Sequence, residues 1–70
     1  MPLTNRVREL RCAKNLNQQE LGSLVVASRQ TISLIERGDY NPSITLALRI
    51  AQVFESPVES IFFLTEEEPS

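Results

Sequence analysis

Apolar residues recur along this chain at helical spacing, and the stretches between them carry capping and turn residues. Val7, Leu10 and Ala13 fall three apart, with Leu3 one turn earlier, and predict a first helix over Asn5 to Lys14. Asn17 before Gln18-Gln19-Glu20 has the form of a capping box: the Asn17 side chain accepts from first-turn amides while Glu20, three residues on, reaches back. A second helix is therefore expected from Gln18 to about Val25. Ser28 is the next N-cap candidate, Ile32 and Ile35 share one face, and Gly38 offers a left-handed stop, which places a third helix at Arg29 to Arg37. Asp39-Tyr40-Asn41-Pro42 reads as a loop, because proline fixes its own φ and biases Asn41 away from helix. Ser43 then caps Ile44 to Phe54, where Ala47, Ile50, Ala51 and Phe54 form an apolar stripe on what is expected to be the most buried helix. Finally, Ser56-Pro57-Val58-Glu59 combines a cap, a first-position proline and a capping-box glutamate, and predicts a short fifth helix ending near Phe62.

The run Ile61-Phe62-Phe63-Leu64 holds more apolar side chains than the outside of one small domain tolerates. Ile61 and Phe62 are expected to finish the core. Val58, Ile61, Phe63 and Leu64 are the candidate dimer contacts, with Ile61 in both roles, and a short strand here could pair with the chain around Leu3. The plainer alternative, that one monomer buries them all, stays open. Residues 1–64 form the expected domain and 65–70, with three consecutive glutamates, an acidic tail.

Composition narrows the class further. Seventy residues make one domain with a core that is only just sufficient. With no histidine and a single cysteine, Cys12, the usual metal sets and an internal disulfide are not available; Cys12 is read as a small core residue. The same poverty of bases and nucleophiles argues against an enzyme. No cofactor, metal or small-molecule ligand is expected. The start Met1-Pro2-Leu3-Thr4 has no apolar run behind basic residues and no stretch is long and apolar enough for a membrane span, so the expected location is the cytoplasm, at the nucleoid. The net charge of −2 is unevenly spread: residues 1–37 hold six basic side chains against three acids, and residues 38–70 hold Arg49 alone against six acids. One half can face phosphate while the other faces away.

The second and third predicted helices are separated only by Val26, Ala27 and the cap Ser28, and the third presents Arg29, Gln30 and Thr31 in its first turn. A link this short makes the helices cross steeply and pushes that turn outward, which is helix-turn-helix geometry. Arginine can donate twice to guanine, glutamine can pair with adenine, and a threonine methyl can pack on that of thymine. Plainer readings exist: surface residues at a helix start for Arg29 and Gln30, dipole compensation for Arg37, a cap for Asn17, and loop packing for Tyr40.

Five stretches together carry a family resemblance: Asn17-Gln18-Gln19-Glu20-Leu21, Ser28-Arg29-Gln30-Thr31-Ile32-Ser33, Ile35-Glu36-Arg37-Gly38, Tyr40-Asn41-Pro42-Ser43 and Leu46-Ala47-Leu48-Arg49-Ile50-Ala51. Nearly the whole chain resembles the lambda-repressor-like helix-turn-helix proteins of the phage repressor, Cro and xenobiotic-response-element type. The resemblance implies an all-α, five-helix DNA-binding domain. It implies that Arg29, Gln30 and Ser33 meet bases, with Thr31 and Leu34 beside them, and that Gln18 contacts phosphate and braces the first turn of helix three. Asn17 joins Gln18 in that clamp, Arg37 with the backbone around Asn41, Ser43 and Ile44 forms a second, and Ser28 is a further phosphate candidate. Arg11 and Glu36 match positions that form a structural ion pair. Two departures stand out: Val26 occupies the turn position usually held by glycine, and Gly22 replaces a usual alanine, where it permits close helix approach. The function implied is a homodimeric transcriptional regulator, most simply a repressor, on a palindromic double-stranded DNA operator. The alternative is an antitoxin-like or adaptor module that chiefly binds a partner protein.

Overall fold

Asn17, Ser28 and Ser43 each adopt extended backbone and accept, through the side chain, the amide three residues on, and each starts a helix. At Asn17 the box is complete, since Glu20 returns a bond to the Asn17 amide at 2.8 Å. A computed structural model describes residues 3–64. In chain order it contains β1 (Leu3–Asn5), α1 (Val7–Ala13), α2 (Gln18–Val25), α3 (Arg29–Glu36), α4 (Ile44–Phe54), a 3-10 turn (Val58–Ser60) and β2 (Phe62–Leu64). The spans of α2 and α4 are those expected from their caps. The predicted acidic tail lies outside the described residues.

Two elements differ from expectation. Asn5 belongs to β1, and its Oδ1 accepts the Val7 amide at 3.0 Å, so α1 begins at Val7. The fifth helix is only the 3-10 turn, because Pro57 stays extended and the Ser56 hydroxyl donates to the Phe54 carbonyl at 3.1 Å instead of capping the turn after Pro57. The chain then pairs antiparallel with β1, Leu3 opposite Leu64, Thr4 opposite Phe63 and Asn5 opposite Phe62. The body is thus all-α, with four helices closed by a short ribbon joining its two ends. No helix among the described residues is long and apolar enough to cross a membrane.

One core forms between the helices. Val7, Leu21, Val25, Ile32, Ile35, Ile50 and Ile61 are completely buried, and α4 adds Leu46, Ala47, Ala51 and Phe54. Helix α4 therefore has the largest buried face, as its apolar stripe requires. Cys12 is a correction: Val7 and Leu10 define the inner side of α1, and Cys12 projects from the opposite, exposed side.

Four helices end on left-handed residues, Asn15, Val26, Gly38 and Glu55, and only one of these is glycine. After α3 the Asp39 amide bonds back to the Leu34 carbonyl, and after α4 the Ser56 amide bonds to Ala51, closing the last turns in the manner that favours glycine.

Candidate nucleic-acid interface

Helix α3 is aimed by the turn before it. Val26 takes φ 61° and ψ 50°, and the Ala27 amide returns to the Gly22 carbonyl at 2.8 Å. Ala27 thereby lies directly against Gly22, and only a residue without a Cβ fits there. Ser28 resumes extended backbone, its Oγ accepts the Thr31 amide at 3.0 Å, and the Ser28 and Thr31 hydroxyls share a further bond. Ile32 and Ile35 turn inward. By helical periodicity Gln30, Ser33, Leu34 and Arg37 then occupy the opposite face, with Arg29 and Thr31 on its flanks. Arg29, Gln30 and Arg37 are exposed, while Thr31, Ser33 and Leu34 are half-buried. Among the described residues neither Arg29 nor Gln30 has a side-chain hydrogen bond or an ion pair, so their donors remain uncommitted.

The far end of α3 is pinned from three elements. Arg11 of α1 donates from Nε to Glu36 Oε2 at 2.6 Å and from Nη2 to Oε1 at 3.2 Å, while its Nη1 donates to the Leu16 carbonyl at 2.8 Å. Both side chains are nearly withdrawn from solvent, 12% and 4% exposed, and the bond to Glu36 holds the Arg11 proton still more firmly than usual. Gln18 Nε2 of α2 donates to the same Glu36 Oε1 at 3.1 Å. Asn5 Nδ2 of β1 donates to the Ile35 carbonyl at 2.9 Å. Gln18 therefore braces the last turn of α3 rather than the first, because Glu36 is the carboxylate within its reach.

The candidate phosphate ligands divide. Asn17, Ser28 and Ser43 spend side-chain acceptors on capping, and Asn17 and Ser43 keep hydrogens to donate. Asn41 is exposed in the loop, and Arg37 lies 3.5 Å from Asp39 in a solvent-facing pair. Gln18, Ser33 and Arg37 come together with Arg8, Arg11 and Glu36 around one surface groove of about 300 Å³. Arg8 and Asn5 escaped the sequence reading. Arg8 was signalled only by its spacing of three from Arg11, which puts both on one side of α1.

At the other end, Ile61 is completely buried and offers no side-chain surface to a second copy, which corrects its place among the dimer candidates: the 3-10 turn carries it into the monomer's core. Val58 is half-buried against that core. Phe63 and Leu64 remain exposed, at 37% and 65%.

Two helices joined by a three-residue turn, the second presenting uncommitted arginine and glutamine at its start, define a DNA-binding helix-turn-helix domain. The family signature described as Helix-turn-helix matches residues 7–61. The HTH-type transcriptional regulator YgzD of Bacillus subtilis is 45% identical over 65 residues, covering 93% of this chain and 98% of that protein. An HTH-type transcriptional regulator of Archaeoglobus fulgidus is 44% identical over 66 residues, covering 94% and 93%. Among solved structures, the restriction-modification controller protein C.AhdI of Aeromonas hydrophila superposes with a TM-score of 0.72 at 34% identity, covering 79% of this chain and 83% of that one. The protein belongs to the lambda-repressor-like helix-turn-helix family of transcriptional regulators, a DNA-binding family and not a family of enzymes.

Proposed function

We propose that the protein is a homodimeric transcriptional repressor, working at the nucleoid in the cytoplasm, that places α3 of each subunit in the major groove of a palindromic operator. The observation that carries this reading is the outward, uncommitted pair Arg29 and Gln30 at the start of a helix whose other end is fixed by Arg11, Gln18 and Asn5. Donors on a rigid support lose little freedom on binding, which is what base discrimination needs. Arg29 pairs with guanine and Gln30 with adenine; Thr31, Ser33 and Leu34 shape the contact, and Asn17, Gln18, Ser28, Arg37, Asn41 and Ser43 fix the register on phosphate. Exposed Phe63 and Leu64, on the strand that joins the chain's two ends, supply apolar surface for a second copy, with Val58 at its margin. Two copies then meet half-sites about 34 Å apart or a multiple of it. Repression follows most simply, because a bound domain blocks a promoter without any further surface.

Selection of bound duplexes from a random pool tests the DNA reading, and sedimentation of the free protein tests the dimer. Enrichment of a sequence with dyad symmetry is the expected result. If no sequence is enriched, while a tight complex with another protein survives loss of both Arg29 and Gln30, the protein is a partner-binding module instead.

A further inference from the structure

The groove between α1 and the end of α3 holds three arginines, and they are not equivalent. Arg11 is neutralised by Glu36, whose carboxylate also takes the Gln18 amide. Arg37 shares a loose, solvent-exposed pair with Asp39. Arg8 has no carboxylate within ion-pair distance among the described residues, although Arg6, two positions earlier, is held by Glu9 at 2.9 Å. The groove is therefore electropositive, and its free charge comes from Arg8 with a share from Arg37.

Its position says which anion it suits. Ser33 and Arg37, on the outward face of α3, line it on one side and Arg8 on the other, so it continues directly into the surface that carries Arg29 and Gln30. In helix-turn-helix docking the first helix of the pair crosses the DNA backbone while the second lies in the major groove, and this groove is lined by Gln18 of α2 as well as by α3. Both Arg8 and α3 are held in register, because Arg11, one turn along α1 from Arg8, is bonded to Glu36. From this we infer that Arg8 is a DNA-backbone ligand, seating one phosphodiester in the groove together with Gln18 and Arg37, an assignment that rests on the proposed DNA-binding role of α3. The contact carries charge and position but no sequence information.

The test compares Arg8→Ala with Arg6→Ala, which removes the same charge from the same end of the chain but from a side chain already paired. Each is titrated with the duplex recovered by selection and with an unrelated duplex of equal length, across a series of salt concentrations. Arg8→Ala is expected to weaken both duplexes alike and to lower the slope of log affinity against log salt by about 0.9, so that its deficit shrinks about 3.5-fold between roughly 50 and 200 mM salt. Arg6→Ala is expected to keep the wild-type slope. An unchanged slope for Arg8→Ala, an equal loss for Arg6→Ala, or a deficit confined to the selected duplex would each overturn the assignment while leaving the DNA reading intact. Failure of the unaltered protein to bind either duplex in a salt-dependent way would instead bring down both.

Discussion

A Cβ built on Gly22 would lie 2.5 Å from the carbonyl oxygen of Ala27, so the crossing of α2 and α3 is set by the missing side chain. The obstacle is backbone, which cannot swing aside as a long side chain would. Gly22→Ala gains about 1 kcal/mol of helix propensity but forces the turn open, and overpacking of this kind costs about 1–3 kcal/mol. The upper part of that range applies here, so a net loss of about 2 kcal/mol is expected, seen as a melting temperature lower by roughly 10 °C. Alanine at this position with wild-type stability and DNA affinity would show that the turn is free to move.

Val26 holds a left-handed conformation that a β-branched residue resists, at a cost of roughly 1–2 kcal/mol. Its side chain is 76% exposed, so little burial is lost when it is removed. Val26→Gly relieves the strain while loosening the unfolded chain, and a net gain of about 1 kcal/mol is expected in urea or thermal unfolding. Because Val26 lies outside the contact surface, DNA preference should be retained; a destabilised Val26→Gly would show that the residue is not strained.

Legibility from sequence followed the range of the interaction. The starts of α2, α3 and α4 could be read because each is fixed by a side chain bonding an amide three residues away. Gly38 was legible as a stop, whereas Asn15 and Glu55 were not, since the tertiary frame imposes their left-handed turns without a glycine to announce them. The 3-10 turn was misread as a helix because the Ser56 hydroxyl has a competing partner in the Phe54 carbonyl. Arg8 was invisible for a different reason: the resemblance pairs Arg11 with Glu36, as the structure does, but only the packing of α1 on α3 brings Arg8 to the groove beside Gln18 and Arg37.

The Arg11 and Glu36 pair makes a further expectation possible. Glu36→Leu leaves a guanidinium only 12% exposed facing no charge, and removing one member of such a pair costs about 3 kcal/mol. Replacing both, as Arg11→Met with Glu36→Leu, should cost distinctly less, because the desolvated charge disappears with its partner. A double-mutant cycle by chemical denaturation reads the difference, and additive losses would mean that the two side chains are not coupled.

Arg29 and Arg37 allow recognition to be separated from adhesion on a single helix. Arg29 stands at the flank of the first turn with its donors uncommitted, so Arg29→Ala should cost about 1–3 kcal/mol on the selected operator and relax preference at one base position. On unrelated duplexes the loss should be smaller, since only a phosphate's share of attraction is then at stake. Arg37 lies at the end of α3 in a loose pair with Asp39, and its guanidinium opens on the groove shared with Gln18. Arg37→Ala should therefore weaken all duplexes alike and lower the salt slope by about one, with base preference unchanged. Reselection with each variant discriminates the two: a profile altered at one position for Arg29→Ala and unaltered for Arg37→Ala is expected. Were Arg29→Ala to weaken every sequence equally, the start of α3 would be touching backbone, and direct readout would have to be reassigned to Gln30 and Ser33.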